Sequence, residues 1–140
     1  MIDKLVKIKE TLNKKYFERE EEIEGMLIAL LSRQHVLLIG EPGTGKSLLS
    51  MEFAKIIDGS NYFQWLLTKY TTPEELFGAL SLQALEQGVH KRNTSGKLPE
   101  AHFVFLDEIF KSNSAILNSL LTLINERLFY NNGTPIKSPL

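Results

Sequence analysis

Residues 36–47 have the sequence VLLIGEPGTGKS, in which an apolar run is followed by a glycine-rich turn and a lysine–serine pair. The apolar run predicts a buried strand, which we place at 35–39, and the stretch 48–57 predicts a helix. This order of strand, glycine-rich turn and helix is the context in which G-x-x-x-x-G-K-[ST] binds phosphate. Glycines at positions 40, 43 and 45 allow successive N–H groups to face one anion, and the helix N-terminus adds partial positive charge. The sequence therefore predicts a triphosphate-binding loop.

Each polar side chain of this loop has an expected role. Lys46 supplies a positive charge for the β- and γ-phosphates and is a predicted catalytic residue. The Ser47 hydroxyl is a predicted ligand of the Mg²⁺ that accompanies a triphosphate. The alternative is a turn that merely joins a strand to a helix, and a second motif downstream argues against it. The full set of predicted nucleotide-binding residues is Gly40, Glu41, Pro42, Gly43, Thr44, Gly45, Lys46, Ser47 and Leu48.

The composition is that of one ordinary globular domain. The 140 residues are 43% hydrophobic and 24% charged, with 16 basic and 17 acidic side chains and no cysteine. A formal net charge of -1 gives the whole chain no electrostatic attraction to nucleic acid or acidic lipid. No apolar run approaches the length that spans a membrane, and the absence of cysteine suits a reducing compartment. We therefore expect a soluble, cytoplasmic protein without a membrane span and with nucleic acid an unlikely partner.

The rest of the chain alternates helical and extended patterns. Apolar spacing predicts leading helices over 1–16 and 18–32, and the run 62–67 predicts a second buried strand. Thr72 is placed to cap a short helix with Pro73 in its first turn and Glu75 at the capping-box position. The excursion 79–100 is punctuated by turn residues, and Leu80, Leu82 and Leu85 predict a short strand or hairpin within it.

The C-terminal third contains a second motif. The run 103–106 is continuously apolar, which predicts a strand buried on both faces, and it ends in Asp107-Glu108. A helix capped by Ser112 or Ser114 follows, and then a hairpin over 129–137 whose turn is Asn-Asn-Gly. Strands that alternate with helices predict a parallel α/β sheet with ligands at the carboxyl ends of its strands.

The acidic pair has a separate role for each residue. Asp107 would hold Mg²⁺, through a coordinated water, because this cation keeps several waters and takes few carboxylates. Glu108 points elsewhere and can accept a proton from the water that attacks the γ-phosphate, so it is the second predicted catalytic residue. The alternative is a strand that simply ends at an acidic turn.

Four segments carry a resemblance to a known family. GEPGTGKS (40–47), TTPEELFG (71–78), LPEAHFVFLDEIFKSNSAILNSLLTLINER (98–127) and FYNNGTPIKSPL (129–140) resemble the MoxR family of AAA+ ATPases. LSLQAL (80–85) with TSGKLPEA (94–101) resembles its RavA-like branch. The resemblance implies a P-loop NTPase fold, a three-layer αβα sandwich with a parallel sheet. It also implies ATP as nucleotide, a homo-oligomeric, usually hexameric ring, and chaperone-like remodelling or maturation of partner proteins.

The resemblance also divides the chain. It implies the N-terminal portion of one AAA+ domain: leading helices at 1–34, strand, loop, helix and second strand at 35–78, an insert at 79–100, the acidic strand and its helix at 101–128, and the start of a pre-sensor hairpin at 129–140. In that family a fourth and fifth strand, an arginine finger and a helical lid follow. Both further strands would flank 35–39, and each unpaired buried backbone group costs roughly 1–3 kcal/mol against a domain stability of about 5–15 kcal/mol. We therefore expect these residues alone to be unstable or partner-dependent, and slow in hydrolysis because an arginine finger contributes on the order of 10³–10⁵ in rate.

Other functions stay open at this stage. A catalytically incompetent nucleotide-binding or interaction fragment would bind ATP without turnover, and a nucleic-acid motor would show turnover stimulated by nucleic acid. The insert is locally basic, at His90, Lys91, Arg92 and Lys97. It is either a loop that contacts a threaded substrate or a solvated hairpin tip, and charge runs are more often the second.

Overall fold

The computed structural model describes residues 2–41 and 43–140, apart from the side chains of Ile2 and Lys4. Pro42, one of the predicted nucleotide-binding residues, therefore lies outside the described residues. The chain divides into two compact units, Met1–Glu52 and Phe53–Leu140.

The first unit is helical. Helix α1 spans Ile2–Lys15 and α2 spans Glu20–Ser32, which confirms the two predicted leading helices. The α1 side chain of Leu12 is 3% exposed, and in α2 Ile23 and Leu27 are also buried. Helix α2 ends where Arg33 adopts the left-handed conformation and its N–H bonds back to carbonyls of the last turn. Helix α3, Lys46–Lys55, begins in this unit.

The predicted strand at 35–39 is wrong for this structure. Residues 34–40 have no regular secondary structure, and Val36, Leu37 and Ile39 are exposed, Ile39 to 85%. An apolar run forms a strand only when a neighbouring strand satisfies its backbone groups. In the described part of the chain no strand pairs with this run.

The second unit contains a parallel sheet of two strands. Strand β1, Tyr62–Leu66, pairs with β2, Phe103–Asp107, in a register that places Leu66 opposite Asp107. This confirms the α/β class with a parallel sheet, whereas the three-layer sandwich stays a prediction. All five β2 residues are only half-buried, so the expected burial on both faces was wrong. Among the described residues β2 has one neighbouring strand, so its other edge has no paired strand.

Two helices of this unit begin at well-defined caps. Helix α4, Pro73–Phe77, carries the predicted capping box, in which the Glu75 carboxylate accepts the Thr72 N–H at 2.7 Å. Helix α6, Ser114–Glu126, is capped by Asn113, whose side-chain oxygen accepts the Ile116 N–H at 3.0 Å. The predicted cap at Ser112 or Ser114 was therefore wrong by one residue. Asparagine is among the best N-cap residues because its short amide reaches the first free N–H groups.

The excursion at 79–100 is mainly a helical turn. Helix α5, Leu82–Glu86, replaces the predicted strand, and the Ser81 hydroxyl accepts the Ala84 N–H at its start. Leucine, glutamine, alanine and glutamate are all good helix formers, which explains the difference. The excursion returns through one antiparallel bridge between Leu80 and Arg92.

A hairpin and a compact core complete the unit. Strands β3, Leu128–Asn131, and β4, Thr134–Lys137, are antiparallel, as predicted. Their turn is Asn132-Gly133, both with positive φ, 52° and 74°. No helix among the described residues has the length and apolarity needed to cross a membrane. The core of the unit consists of Phe63, Leu67, Leu76, Phe77, Leu98, Ala101, Ile116, Leu120 and Leu123.

Candidate nucleotide-binding site

The loop before α3 has the backbone of a phosphate cradle. Gly43 and Gly45 both have φ of 79°, a conformation that glycine adopts without strain. Helix α3 begins at Lys46, and the Leu49 N–H donates to the Gly45 carbonyl at 2.9 Å. The amides that precede this bond, from Lys46 to Leu48, belong to the first turn, whose N–H groups have no acceptor within their own helix. The loop therefore combines left-handed glycines with the N–H groups of a helix N-terminus, an arrangement that binds anions.

The Lys46 side chain lies back over this loop. Its Nζ donates to the Gly40 carbonyl at 2.9 Å, to the Glu41 carbonyl at 2.7 Å and to Thr44 Oγ1 at 3.2 Å. Thr44 Oγ1 in turn donates to the Glu41 carbonyl at 2.9 Å. The ammonium group is thus held at the loop by neutral oxygens, which a phosphate oxygen would outcompete because hydrogen bonds between charged partners are stronger.

Arg19 supports the loop and was missed by the sequence reasoning. One guanidinium nitrogen, Nη2, donates to the Thr44 carbonyl at 3.3 Å, while Nη1 pairs with Glu22 at 3.0 Å. The guanidinium therefore connects the start of α2 to the glycine-rich loop, 25 residues further along the chain. No sequence signal indicated this, because Arg19 stands in an acidic segment that has the composition of a solvated helix end.

The acidic pair lies at the carboxyl end of β2, as predicted. Asp107 is the last residue of the strand, and the Leu67 N–H donates to its carbonyl at 2.9 Å. Asp107 Oδ1 accepts the Glu108 N–H at 3.0 Å. Glu108 has φ of 56°, in the left-handed region that non-glycine residues rarely adopt. Its carboxylate pairs with Lys111 at 3.1 Å.

The backbone changes direction at Glu108, directly after the strand residue Asp107. Because the backbone leaves the strand direction at that residue, the Glu108 side chain does not follow the strand alternation from Asp107. One carboxylate on the strand and one on a strained turn are available for different tasks. Strained backbone is concentrated at functional sites because the surrounding fold must hold it in place.

A polar cluster beside the acidic pair was also missed. It consists of Thr68 and Thr71 in the turn after β1, and Asn113 at the start of α6. The Thr68 N–H donates to Thr71 Oγ1 at 2.8 Å, and Asn113 Nδ2 donates to the Thr71 carbonyl at 3.0 Å. The Thr-x-x-Thr spacing and the asparagine before a helix were visible in the sequence, but the pairing of the two loops was not.

The observed donors fit a nucleotide phosphate chain. The loop contributes free helix amides, one ammonium group and the hydroxyls of Thr44 and Ser47, and phosphate oxygens are acceptors for all of these groups. Hydroxyl and carboxylate oxygens, as at Ser47 and Asp107, are the ligand types that Mg²⁺ prefers. The phosphate loop belongs to the first unit and the acidic pair to the second.

The basic residues of the insert are less free than a solvated tip would be. Arg92 Nη1 pairs with Glu74 at 2.9 Å and also donates to the Gly78 carbonyl at 2.9 Å. Lys97 Nζ donates to the Glu75 carbonyl at 3.2 Å and lies 5.6 Å from the centre of the Trp65 ring. These two cations therefore hold the base of the insert, whereas His90 and Lys91 are exposed.

Comparison with known proteins gives the family. A sequence profile described as "MoxR domain in the MoxR-vWA-beta-propeller ternary systems" matches residues 3–140. An uncharacterized protein of Methanocaldococcus jannaschii is 46% identical over 141 residues, covering 100% of this chain and 37% of that protein. A second from the same organism is 47% identical over 137 residues, with coverage of 97% and 36%. Chaperone MoxR1 of Mycobacterium tuberculosis is 30% identical over 109 residues, with coverage of 78% and 28%.

The chain thus spans little more than a third of the length of the two Methanocaldococcus relatives, at 37% and 36%. The profile nevertheless matches almost all of the residues of this chain, including the glycine-rich loop and the acidic pair. With the glycine-rich loop before α3 and the acidic pair after β2, the chain is a member of the MoxR family of AAA+ ATPases.

Proposed function

We propose that the protein binds ATP and hydrolyses it in a reaction that depends on Mg²⁺. The observation that carries this proposal is the loop before α3, where two left-handed glycines, the free amides of a helix N-terminus and the Lys46 ammonium group lie within six residues. Membership of a family of AAA+ ATPases supports ATP as the nucleotide.

The roles of the polar residues follow from their chemistry. The loop amides of residues 43–48 hold the phosphate oxygens, and Lys46 exchanges its carbonyl partners for the β- and γ-phosphates. Ser47 and Asp107 are the proposed ligands of Mg²⁺, Asp107 through a water. When bound, this cation neutralises charge on the phosphates.

Glu108 is the proposed general base. It accepts one proton from a water molecule while the water oxygen forms a bond to the γ-phosphorus and the bond to the β–γ bridging oxygen breaks. The products are ADP and inorganic phosphate, and Glu108 afterwards returns its proton to solvent. The pairing with Lys111 is compatible with this role, because both side chains are partly exposed and exposed pairs are weak.

For the complete protein we propose the activity of a chaperone-like remodelling ATPase. One of its relatives is named as a chaperone, and the matching profile is named for systems that combine MoxR, vWA and β-propeller proteins. We propose such partner proteins as its substrates, a homo-oligomeric, hexameric ring as its working form, and the cytoplasm as its location. The RavA-like branch stays a proposal drawn from residues 80–85 and 94–101.

Three substitutions in the complete protein test the site. Lys46→Ala should abolish ATP binding. Ser47→Ala should remove the gain in ATP affinity that Mg²⁺ provides. Its control, Ser47→Thr, keeps a hydroxyl and should preserve this gain. Glu108→Gln should lower turnover by about 10²–10⁴-fold, the usual contribution of a general base, while ATP still binds. Glu86→Gln, an exposed residue of α5, is the matched control.

The binding and turnover assays together distinguish the candidate functions. Magnesium-dependent binding without phosphate release in the complete protein would support a binding module instead. Turnover that rises only with added nucleic acid would support a motor. ATP binding that survives Lys46→Ala would refute the proposed cradle.

A further inference from the structure

A single side chain joins the loops that follow the two parallel strands. Asn113 Nδ2 donates to the carbonyls of Lys69 at 3.3 Å and Thr71 at 3.0 Å, in the loop after β1. Its Oδ1 accepts the Ile116 N–H at 3.0 Å and so caps α6. One amide group therefore connects the turn after β1 with the start of α6. This helix follows residues 108–112, which we call the acidic loop.

The turn that Asn113 contacts is itself well fixed. Thr71 is 5% exposed, its hydroxyl accepts the Thr68 N–H at 2.8 Å, and its own N–H donates to the Thr68 carbonyl at 3.1 Å. These bonds close the turn on both sides. The Asn113 amide thus binds carbonyl groups of a turn that also has hydrogen bonds of its own.

The acidic loop is anchored at both ends by these contacts. At one end the Leu67 N–H binds the Asp107 carbonyl at 2.9 Å, and at the other end Asn113 binds the turn after β1. Five residues, 108–112, lie between the anchors, and they begin with the left-handed Glu108. Glu108 is itself the first residue of this loop, and the Lys111 N–H donates to its carbonyl at 2.8 Å, so its position depends on that of the loop.

We infer that Asn113 is a positioning residue, which holds the acidic loop so that the Glu108 carboxylate stays at the carboxyl end of the sheet. This inference rests on the proposed role of Glu108 as the general base. Asn113 itself contacts no reacting group; it acts by anchoring the C-terminal end of the acidic loop. A general base misplaced by about 1 Å can lose on the order of 10²-fold in rate, so a bond at this position has a measurable effect.

Asn113→Asp separates the two tasks of this residue. The carboxylate keeps an acceptor for the Ile116 N–H and so preserves the cap, since aspartate caps helices as well as asparagine. It cannot donate to the carbonyls of Lys69 and Thr71, and it places a negative oxygen beside them. Asn113→Ser also keeps a cap and adds no charge, which isolates the loss of the donors. Asn118→Asp, on the exposed surface of α6, is the matched control for the added charge.

The first measurement is hydrogen exchange in the complete protein without nucleotide. We expect Asn113→Asp and Asn113→Ser to increase exchange in peptides that cover 68–72 and 107–113, and to leave peptides from 117–126 unchanged. Exchange in both loops that equals that of the unmodified protein would overturn the inference. An increase confined to 117–126 would overturn it too, because it would show a helix cap and nothing more.

The second measurement is steady-state ATP hydrolysis together with ATP binding. We expect Asn113→Asp and Asn113→Ser to lower kcat about tenfold to hundredfold, with the Kd for ATP within twofold of that of the unmodified protein. In a Glu108→Gln background, Asn113→Asp should lower the residual rate no further. An unchanged kcat, or an equal loss in the Asn118→Asp control, would overturn the inference.

Two outcomes distinguish the role of Glu108 from that of Asn113. Full turnover in Glu108→Gln would refute the proposed function and, with it, a catalytic role for Asn113. Loss of turnover in Glu108→Gln with full turnover in both Asn113 variants would refute only the positioning role.

Discussion

Arg92 and Asn131 exchange two hydrogen bonds, one in each direction. The Arg92 backbone N–H donates to Asn131 Oδ1 at 2.8 Å, and Asn131 Nδ2 donates to the Arg92 carbonyl at 3.0 Å. Asn131 is the last residue of β3 and is only 5% exposed. The insert and the hairpin, 39 residues apart in sequence, are thus joined at a buried point.

Replacing Asn131 should therefore destabilise the second unit. Asn131→Ala removes both part-buried hydrogen bonds to the Arg92 backbone, and each such bond contributes roughly 0.5–1.5 kcal/mol. We expect the free energy of unfolding to fall by about 1–3 kcal/mol in urea denaturation. Asn118→Ala, on the exposed side of α6, should change it by less than about 0.5 kcal/mol. Equal stability of the two variants would show that the exchange of hydrogen bonds contributes nothing.

Gly78 should tolerate no side chain. It has φ of 96°, and a Cβ atom built on it would lie 1.8 Å from the Asn93 carbonyl oxygen. Both the backbone conformation and the contact oppose alanine, so Gly78→Ala should cost at least about 3 kcal/mol. Gly88 also has a positive φ, 73°, but its Cβ would meet open space. Gly88→Ala should therefore cost only about 1–2 kcal/mol, and thermal unfolding of the two variants compares them directly.

The ion pair between Glu74 and Arg92 should make stability depend on pH. The hydrogen bond from the Arg92 guanidinium, and then the backbone N–H of Glu74, hold the pKa of Glu74 below its ordinary value. Because the pKa of Glu74 is lower in the folded state, the ion pair contributes fully to the free energy of unfolding above the ordinary pKa. This contribution is lost as pH falls through the lower, folded-state pKa. The stability difference between the unmodified chain and Glu74→Gln should thus be largest near pH 7 and shrink in acid.

The effect of this pair should be small, because the Glu74 side chain is 48% exposed. Exposed ion pairs contribute about 0–1 kcal/mol, and salt screens them. Denaturation at several pH values in low and high salt measures the effect, with Glu86→Gln as the control for loss of a surface charge. A difference that grows toward acid would contradict the direction of the pKa shift.

Arg19 should influence nucleotide affinity through the loop. Arg19→Gln removes the guanidinium contact with the Thr44 carbonyl, and loss of one hydrogen bond of about 1 kcal/mol corresponds to roughly fivefold in Kd. Glu22→Gln weakens the other contact of Arg19 and leaves the Thr44 contact in place. We therefore expect weaker ATP binding in Arg19→Gln and nearly unchanged binding in Glu22→Gln, both measured by calorimetry. A similar loss in both variants would point to a general effect on α2.

Local patterns predicted the elements that local forces determine. The capping box at Thr72 and Glu75 and the turn before Thr134 depend on residues within a few positions of one another. The apolar run that ends at Asp107 was also predicted, and it has a partner strand within the described residues. The placement of the phosphate loop directly before a helix was likewise visible, because glycine spacing and the lysine–serine pair are local signals.

Elements that depend on distant partners were predicted less well. The run 35–39 has the composition of a buried strand, but composition cannot supply the neighbouring strand that would hold it. The contacts of Arg19 with Thr44 and of Asn113 with Thr71 join residues 25 and 42 positions apart, and no periodic pattern encodes such pairs. The helical turn Leu82–Glu86 was missed for a simpler reason. Over so short a stretch its leucines do not distinguish the spacing of a helix from that of a strand.

The exposed run at 36–39 also has a consequence for handling the protein. The run is uncharged and apolar, and three of its four side chains, Val36, Leu37 and Ile39, are open to water, so it can pair with the same run of another molecule as strands of a growing fibre. Self-association of this kind rises with concentration and is not suppressed by salt, because no charge within the run opposes it. Dilute preparation, or a lysine introduced at Leu37, should therefore keep these residues in solution.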